Sequence, residues 1–224
     1  MNRKLCLLDW DGTLRKGYTT LDWLMFLHQQ NIVEKSHIQE LRLLDAAFQE
    51  EKIKYEEFVR DVADIYARAI NGKQKSEIAV LADQFVKIDE ANLFSFCKPL
   101  LHRLRLFHVN VVVISGAPIE PLLAYSKTLA FNRVFGVEVS TSDDGVYTNS
   151  VKANYGLLAS KIQSVQDVVT ADTTVLLAIG NSINDLPLLS VAKQGLFILE
   201  NDQTPPIQFV HPEYLLESIL LDSN

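Results

Sequence analysis

The chain contains short runs of almost continuous hydrophobic residues, each followed by polar residues or glycine. The four clearest runs are LCLLDW, VNVVVISG, TVLLAIGN and GLFILEN. Unbroken apolar runs are typical of strands buried on both faces, as in a parallel sheet covered by helices. Three of them end in polar or glycine positions, at 9–12, 115–116 and 180–185. Because ligands bind beyond the carboxyl ends of parallel strands, the pattern predicts a site where these three ends meet.

A long helical segment separates the first two runs. Apolar side chains recur there every three or four positions, as in TLDWLMFLHQQ, YEEFVRDVADIYARAI and SEIAVLADQFVKI. An ordinary crossover between parallel strands needs far fewer residues. The sequence therefore predicts an α/β fold. Its core is a three-layer parallel-sheet (Rossmann-like) domain of residues 1–15 and 93–224, with an inserted α-helical cap of residues 16–92.

The second half of the chain alternates between helix and strand patterns. Helices are predicted over APIEPLLAYSKTLA, NYGLLASKIQSV and SINDLPLLSVA, and Asp144-Gly145 predicts a hairpin within RVFGVEVSTSDDGVYTNSV. A loop is predicted at TPP, residues 204–206, and a last helix from about Pro212 to Leu221.

Composition narrows the functional classes. The 224 residues are 48% hydrophobic, which is enough for a large core, and the net charge of −7 with no basic run disfavours nucleic-acid binding. Cys6 and Cys97 lie in apolar contexts and predict buried thiols in a reducing compartment. The scattered histidines disfavour zinc. With no membrane-length apolar run and no signal-peptide pattern, we expect a cytoplasmic protein without a membrane partner.

Asp9 and Asp11 stand two residues apart where the first apolar run stops. Alternate residues of a strand point the same way, so these two carboxylates would share one side and repel each other. Burial would raise a pKa there unless a cation were present, and Mg²⁺ prefers one or two carboxylates together with phosphate oxygens and waters. Gly12-Thr13 predicts a tight turn with free backbone N–H groups for an anion. The stretch therefore predicts a Mg²⁺ site beside a phosphate site.

These residues also carry a family resemblance. DWDGTL resembles the DxDGT motif of the haloacid dehalogenase-like hydrolases, and VVVISGAP resembles their second motif, with Ser115 at its end. Lys161 in NYGLLASKIQSV resembles the third-motif lysine, and LLAIGNSINDLPLL resembles the fourth motif. The resemblance covers nearly the whole chain. The position of the helical segment resembles the branch that includes phosphoserine phosphatases.

The resemblance implies a role for each motif residue. Asp9 would be the nucleophile that forms an aspartyl-phosphate, and Asp11 would act as general acid and then general base. The phosphate would be bound by Gly12, Thr13, Ser115, Gly116 and Lys161. Mg²⁺ would be held by Asp9, Asp11, Asn181 and Asp185. Lys152 is an alternative to Lys161, but it stands where the hairpin ends and is typical of a solvated surface lysine.

The fourth motif departs from the family pattern at Asn181, where the family usually has an aspartate. A neutral amide can ligate Mg²⁺ through its oxygen but brings no charge, so weaker metal binding is expected. Three interpretations stay open: a weaker Mg²⁺ site compensated by Asp185, a lost metal as in the true dehalogenases, or a non-catalytic relative. Asp11 speaks against the dehalogenase interpretation, because two unneutralised carboxylates without a metal are electrostatically unfavourable.

A second departure concerns the substrate. Phosphoserine phosphatases have a glutamate that recognises the substrate amino group at the place of Tyr18, so phosphoserine is disfavoured. Arg15 and Lys16 would line the cap entrance with Tyr18 and suit a more anionic or ring-bearing phosphoester; the alternative is that both basic side chains are solvated. The sequence thus predicts a Mg²⁺-dependent phosphatase for a small phosphomonoester. A phosphotransferase or phosphomutase, and a catalytically weakened regulatory or binding protein, are the alternatives.

Overall fold

The structure is a computed structural model that describes residues 3–199 and the backbone of 208–210. The described strands are β1 (Arg3–Leu8), β2 (Asn110–Pro118), β3 (Arg133–Thr141), β4 (Tyr147–Ala153), β5 (Thr173–Gly180), β6 (Gln194–Leu199) and β7 (Gln208–Val210). The helices are α1 (Thr19–Gln29), α2 (Lys35–Gln49), α3 (Tyr55–Ile70), α4 (Lys75–Asp89), α5 (Cys97–Leu106), α6 (Ile119–Leu129), α7 (Leu158–Val168) and α8 (Leu186–Ser190). The predicted loop at 204–206 and the predicted helix at 212–221 lie outside the described residues.

The strands form one sheet in the order β4-β3-β2-β1-β5-β6-β7. Strands β3, β2, β1, β5 and β6 run parallel, whereas β4 and β7 pair antiparallel at the two edges. The four apolar runs form β1, β2, β5 and β6, as predicted, and the predicted hairpin is β3–β4 with Gly145 in the left-handed region. The fold is therefore the predicted α/β core. Strand β7 was not predicted.

Strand β1 lies in the middle of the sheet and is covered on both faces. Leu5 and Leu7 pack in a cluster with Val165 of α7 and Leu189 of α8. Cys6 and Leu8, which point the other way, pack in a larger cluster that includes residues of α1, α3, α5 and α6. Because both faces are apolar, the strand reads as a continuous hydrophobic run. Asp9, which follows Leu8, therefore lies at the carboxyl end of this central strand, where the predicted polar strand ends meet.

Two boundaries differ from the predicted ones. Strand β2 does not stop at Ser115 but continues to Pro118, with a register irregularity between Ile114 and Pro118. Such irregularities are frequent beside active sites because they redirect side chains. The helix predicted over SINDLPLLSVA is a 3-10 turn at Ile183–Asp185 followed by the short α8.

Helices α1 to α4 fill the segment between β1 and β2, as the periodicity predicts. Helix α3 packs against β4, and α4 packs against α6. Trp23 of α1 donates a hydrogen bond to the Tyr66 hydroxyl of α3 at 3.2 Å, which joins two of these helices through a buried contact. The division into a cap of residues 16–92 and a core stays a prediction.

Cys6 and Cys97 are buried and unpaired, as predicted. None of the described helices has both the length and the apolar character that crossing a membrane requires.

Candidate active site

The three predicted strand ends meet in one pocket of about 220 Å³. Asp9 follows β1, Ser115 lies in β2, and Asn181 follows β5. Lys161 reaches the pocket from α7, behind the sheet edge. The predicted residues that line this pocket are Asp9, Asp11, Ser115, Gly116, Lys161 and Asn181.

Asp9 is almost fully buried, with 5% of its surface exposed. Lys161 Nζ lies 3.1 Å from Asp9 Oδ1, and Thr13 Oγ1 donates a hydrogen bond to Asp9 Oδ2 at 3.1 Å. Burial raises the pKa of Asp9 to about 7, and the Asp185 charge adds to this effect while Lys161 opposes it. The carboxylate is therefore oriented at both oxygen atoms and is only partly neutralised.

Asp11 is held by the start of α1. The Thr19 backbone N–H donates to Asp11 Oδ2 at 3.0 Å, and the Thr19 hydroxyl donates to Asp11 Oδ1. Burial raises the pKa of Asp11 to about 6, although Arg15 and the Thr19 hydrogen bonds oppose the rise. A carboxyl group with this pKa can both donate and accept a proton near neutral pH. Trp10, between the two carboxylates in sequence, packs on Tyr125 and Phe131.

Lys161 and Asp185 form a buried ion pair beside Asp9. Burial alone would lower the pKa of Lys161, but the charges of Asp185 and Asp9 hold it above its usual value. The other Asp185 oxygen accepts from the Asn181 N–H at 3.0 Å and from the Ser182 N–H at 2.9 Å and hydroxyl at 3.0 Å. Both Asp185 oxygen atoms are thus bonded to protein donors, and the carboxylate fixes the loop after β5.

Lys152 lies outside the pocket. Its side chain is 66% exposed and pairs with Glu138 of β3 at 3.0 Å. Of the two candidate lysines, the structure brings only Lys161 next to Asp9.

Ser115 and Gly116 occupy the irregular part of β2 at the floor of the pocket. Ser115 Oγ accepts a hydrogen bond from the Ala117 N–H at 3.1 Å, which leaves the hydroxyl hydrogen to donate elsewhere. A Cβ on Gly116 would lie 3.1 Å from Gly156 Cα, so glycine lets the loop before α7 approach closely. Both residues thus line the pocket together with Asp9 and Lys161.

Three oxygen atoms converge between the ends of β1 and β5. The position of Asn181 Oδ1 lies 3.3 Å from both the Asp11 carbonyl oxygen and Asp9 Oδ2. The Thr13 hydroxyl, 3.3 Å from Asn181 Oδ1 and 3.1 Å from Asp9 Oδ2, can donate to only one of these acceptors. The others are satisfied either by a cation or by rotating the amide so that its nitrogen donates to both oxygens. One carboxylate, one carbonyl and one amide oxygen are donors of the kind that Mg²⁺ accepts, so the residues fit this ion.

The protein contribution to such a site is small. Within residues 3–199, no group of three or more His, Cys, Asp or Glu side chains converges as metal ligands. The reason is local, because Asn181 is neutral and Asp185 is bonded to Lys161 and to the loop. Mg²⁺ tolerates this arrangement, since it keeps several waters and binds substrate phosphate oxygens.

The backbone N–H groups of Gly12 and Thr13 were expected to be free to bind an anion, and this prediction is wrong. The Gly12 N–H donates to the Arg15 carbonyl at 2.7 Å, and the Thr13 N–H donates to the Trp10 carbonyl at 3.1 Å, so neither is free. Thr13 is fully buried and bonds to Asp9. A Cβ on Gly12 would lie 2.1 Å from Asn181 Nδ2, and its φ is +72°. These residues therefore shape the loop under Asp9 and do not line the pocket.

The expected position of Arg15 is also wrong. Arg15 is neither solvated nor at the pocket entrance, because its side chain is fully buried between α1 and α4. Its Nε donates to Asp89 Oδ2 at 2.7 Å, and its Nη2 lies 2.5 Å from both Asp89 Oδ1 and Asp22 Oδ2. Three carboxylates, Asp22, Asp89 and, at 3.6 Å, Asp11, surround the guanidinium and compensate its charge. Lys16 is exposed and lies over the Phe94 ring.

The sequence patterns did not indicate the remaining residues that line the pocket. They are Tyr55, Phe58, Val59 and Val62 of α3 together with Ala117 and Ser182, and the predicted Tyr18 stands beside them. The periodicity of α3 predicts an apolar helix face but not which part of that face lines a cavity. Thr19 orients Asp11, but its position at the start of a predicted helix was the only sequence feature that set it apart.

Comparison with known proteins identifies a family and several structures of similar fold. A family model described as haloacid dehalogenase-like hydrolase matches residues 6–190. A solved protein with unknown function from Bordetella pertussis Tohama I aligns with a TM-score of 0.72 at 15% identity, covering 87% of this chain and 89% of that one. A phospho-aspartyl intermediate analogue of phosphoserine phosphatase aligns at 0.57 and 16% identity, covering 87% and 86%.

A third structure, cytosolic 5′-nucleotidase IIIB bound to cytidine, aligns with a TM-score of 0.62 at 13% identity, covering 86% of this chain and 70% of that one. At these identities the structural likenesses show the fold alone. No curated protein matches the sequence. The family model spans the four motif regions and most of the chain, and so this protein belongs to the haloacid dehalogenase-like hydrolases.

Proposed function

We propose that this protein is a Mg²⁺-dependent phosphatase that hydrolyses a small phosphomonoester through an aspartyl-phosphate on Asp9. The observation that carries the proposal is the buried Asp9 carboxylate. Lys161 lies on one of its oxygen atoms, and the Asn181 side-chain amide lies 3.3 Å from the other and 3.3 Å from the Asp11 carbonyl oxygen. A nucleophilic carboxylate next to a fixed cation and a cation-binding cradle is what attack on a phosphate dianion requires.

In the first step a carboxylate oxygen of Asp9 attacks phosphorus, and the bond from phosphorus to the leaving oxygen breaks. Asp11, with its pKa raised to about 6, gives its proton to that oxygen as the alcohol leaves. Lys161 and Ser115 bind phosphate oxygens, so the charge that spreads over them is stabilised throughout.

In the second step Asp11 accepts a proton from water. The water oxygen attacks phosphorus, the bond to Asp9 breaks, and inorganic phosphate leaves. Thr19 holds Asp11 in the same orientation for both steps through two hydrogen bonds. Mg²⁺, bound by Asp9, the Asp11 carbonyl and Asn181, would neutralise charge on the phosphate and on Asp9.

Asp185 acts at one remove in this scheme. Its bonds to Lys161 and to the backbone of Asn181 and Ser182 hold the cation and the amide at their places around Asp9. It is a positioning residue, and a water-mediated contact to Mg²⁺ is the form in which it would contribute its charge.

The test is hydrolysis of an aryl phosphate by the full chain with Mg²⁺, with EDTA, and with Asp9→Asn. We expect activity with Mg²⁺, and a loss of at least about a thousandfold with EDTA or in Asp9→Asn. Asp143→Asn, at an exposed hairpin position, is the matched control and should keep native activity. Activity that survives both EDTA and Asp9→Asn would contradict the mechanism.

The reaction products distinguish hydrolysis from transfer of the phosphoryl group to an alcohol. Added glycerol should leave inorganic phosphate as the main product, whereas glycerol phosphate as the main product would favour the phosphotransferase alternative. We further propose that the protein acts in the cytoplasm, because its two buried cysteines are unpaired, as is usual in a reducing compartment.

A further inference from the structure

One side of the pocket is a largely apolar wall built by α3, in which Tyr55 lies close enough to Lys161 and Asp9 for their charges to act on it. Phe58, Val59 and Val62 are each at least nine-tenths buried, and they line the pocket with Tyr55 and Tyr18. Positions three and four apart on a helix share a face, so the pattern of α3 presents these side chains together. Because these residues line the same pocket as Asp9, the leaving group of a phosphoester bound there would contact them.

The wall is held in place by aromatic contacts behind it. The Phe58 ring stacks on Phe48 of α2, with 4.6 Å between ring centroids and 19° between planes. The Tyr18 ring lies 6.2 Å from the Phe58 ring, at 33°. Such pairs fix ring orientation, so the surface offered to a ligand is already formed.

The wall carries no charge. Among the described residues that line the pocket, the ionised side chains are Asp9, Asp11 and Lys161, which the phosphoryl chemistry already uses. Arg15 pairs with Asp11 at 3.6 Å but does not line the pocket, and neither does Asp45, whose charge acts on Tyr18. An ammonium or carboxylate on the leaving group would therefore lose its hydration without gaining a partner, which is unfavourable.

The size of the pocket limits the leaving group further. At about 220 Å³ it is smaller than the pockets of roughly 300–1,000 Å³ that enclose drug-sized ligands. A phosphate and one ring, or a short hydrocarbon chain, are of the appropriate size.

We propose that the leaving group of the substrate is uncharged and carries an apolar ring or short hydrocarbon that packs against Tyr18, Phe58 and Val62. This inference rests on the proposed phosphatase function and names its substrate class. An amino-acid phosphoester and a nucleoside monophosphate are the competing classes, and each is an outcome of the test.

The experiment compares phosphate esters of primary alcohols, so that the chemistry at phosphorus is similar throughout. The full chain is assayed with Mg²⁺ on benzyl phosphate, O-phosphoserine, O-phosphoethanolamine, ethyl phosphate and cytidine 5′-monophosphate. We expect kcat/KM for benzyl phosphate to exceed that of both amino-group esters by about tenfold or more, because one apolar ring is removed from water.

Variants of α3 locate the effect. Phe58→Ala should lower kcat/KM for benzyl phosphate about tenfold while changing that for ethyl phosphate less than about threefold. Phe58→Leu keeps an apolar side chain and should retain most of the preference. Glu57→Ala, at the exposed neighbouring position, is the matched control. If Phe58→Ala fails to fold, the native panel and Phe58→Leu decide the matter.

The outcomes are distinguishable. Hydrolysis of O-phosphoserine as fast as benzyl phosphate, or no preference lost in a folded Phe58→Ala, would overturn the substrate class and leave the phosphatase function standing. A preference for cytidine 5′-monophosphate would overturn the size limit. No hydrolysis of any ester would overturn both proposals.

Discussion

Asp9 and Asp11 are held in surroundings that disfavour their charge. Burial raises the pKa of Asp9 to about 7 and that of Asp11 to about 6, from an ordinary value of 3.8. Lys161 and Arg15 offset only part of this effect. Without a cation, the ionised site therefore opposes folding, as carboxylates with strongly perturbed pKa values in clefts commonly do.

The pH dependence of stability should reveal this opposition. Because folding raises the pKa of Asp9, its contribution to stability is greatest below about pH 4 and is lost as the pH rises through about 7. In EDTA at pH 8, Asp9→Asn should therefore unfold at a higher temperature than the native chain. We expect a gain of about 2 kcal/mol, or about 4–8 °C in Tm.

The difference should shrink towards zero below about pH 3, where Asp9 is mostly protonated in both states. Thermal unfolding followed by circular dichroism measures it, with the exposed Asp144→Asn as the control for loss of charge alone. An Asp9→Asn chain that is no more stable than the native chain at pH 8 would contradict the assignment.

Some residues of the site could be predicted because their signal is local. Asp9, Asp11 and Ser115 follow directly from apolar runs that end in polar residues. The bonding of Gly12 and Thr13 could not be predicted, because a turn can either leave its N–H groups free or close them on its own carbonyls. Here they close on Arg15 and Trp10.

At the scale of elements, Arg15 joins three parts of the chain. It follows the loop of Asp11, and its guanidinium binds Asp22 of α1 and Asp89 at the end of α4. Tyr125 of α6 donates to Asp89 as well, at 2.6 Å, and the Arg15 and Tyr125 bonds help to hold the pKa of Asp89 below its usual value despite burial. The network therefore fixes the helices around the catalytic loop.

Removing the guanidinium should be strongly destabilising. Arg15→Met would leave the 3%-exposed Asp89 without its cation, and breaking one partner of a buried pair typically costs about 3–5 kcal/mol. Urea unfolding measures the loss. Arg60→Met, which removes an exposed arginine paired with Glu56, is the control and should cost less than about 1 kcal/mol.

The double variant Arg15→Met with Asp89→Asn distinguishes the two causes of such a loss. If the uncompensated carboxylate is the cause, the double variant should recover part of the stability. A double variant that is no more stable than Arg15→Met would show that packing, and not charge, is what Arg15 supplies.

Most elements could be predicted, and the exceptions have physical reasons. The buried strands are unbroken apolar runs, so β1, β2, β5 and β6 stand out in the sequence. The burial of Arg15 could not be predicted, because its partner Asp89 lies 74 residues away along the chain. The division of the α3 face between core and pocket depends likewise on what the fold places opposite it.

At the scale of the whole molecule, Mg²⁺ binding should stabilise the fold by mass action, since the unfolded chain does not assemble the site. Asn181→Asp adds a carboxylate to the three converging oxygens. We expect the variant to be less stable than the native chain in EDTA and to gain more stability from Mg²⁺. Its Mg²⁺ affinity should rise about tenfold.

Thermal shifts across a Mg²⁺ titration measure both effects. Asn149→Asp adds the same charge at an exposed position of β4 and should bind Mg²⁺ like the native chain. Equal affinities in Asn181→Asp and Asn149→Asp would show that position 181 is not a ligand.

Backbone hydrogen bonds join the α3–α4 connection to the β3–β4 hairpin. The Gly72 N–H donates to the Tyr147 carbonyl at 2.8 Å, the Tyr147 N–H to the Lys73 carbonyl at 2.9 Å, and the Lys75 N–H to the Gly145 carbonyl at 2.9 Å. A movement of α1 to α4 away from the sheet as one rigid body would break these three hydrogen bonds. Any opening of the pocket that keeps these bonds must therefore leave the α3–α4 connection in place beside the hairpin.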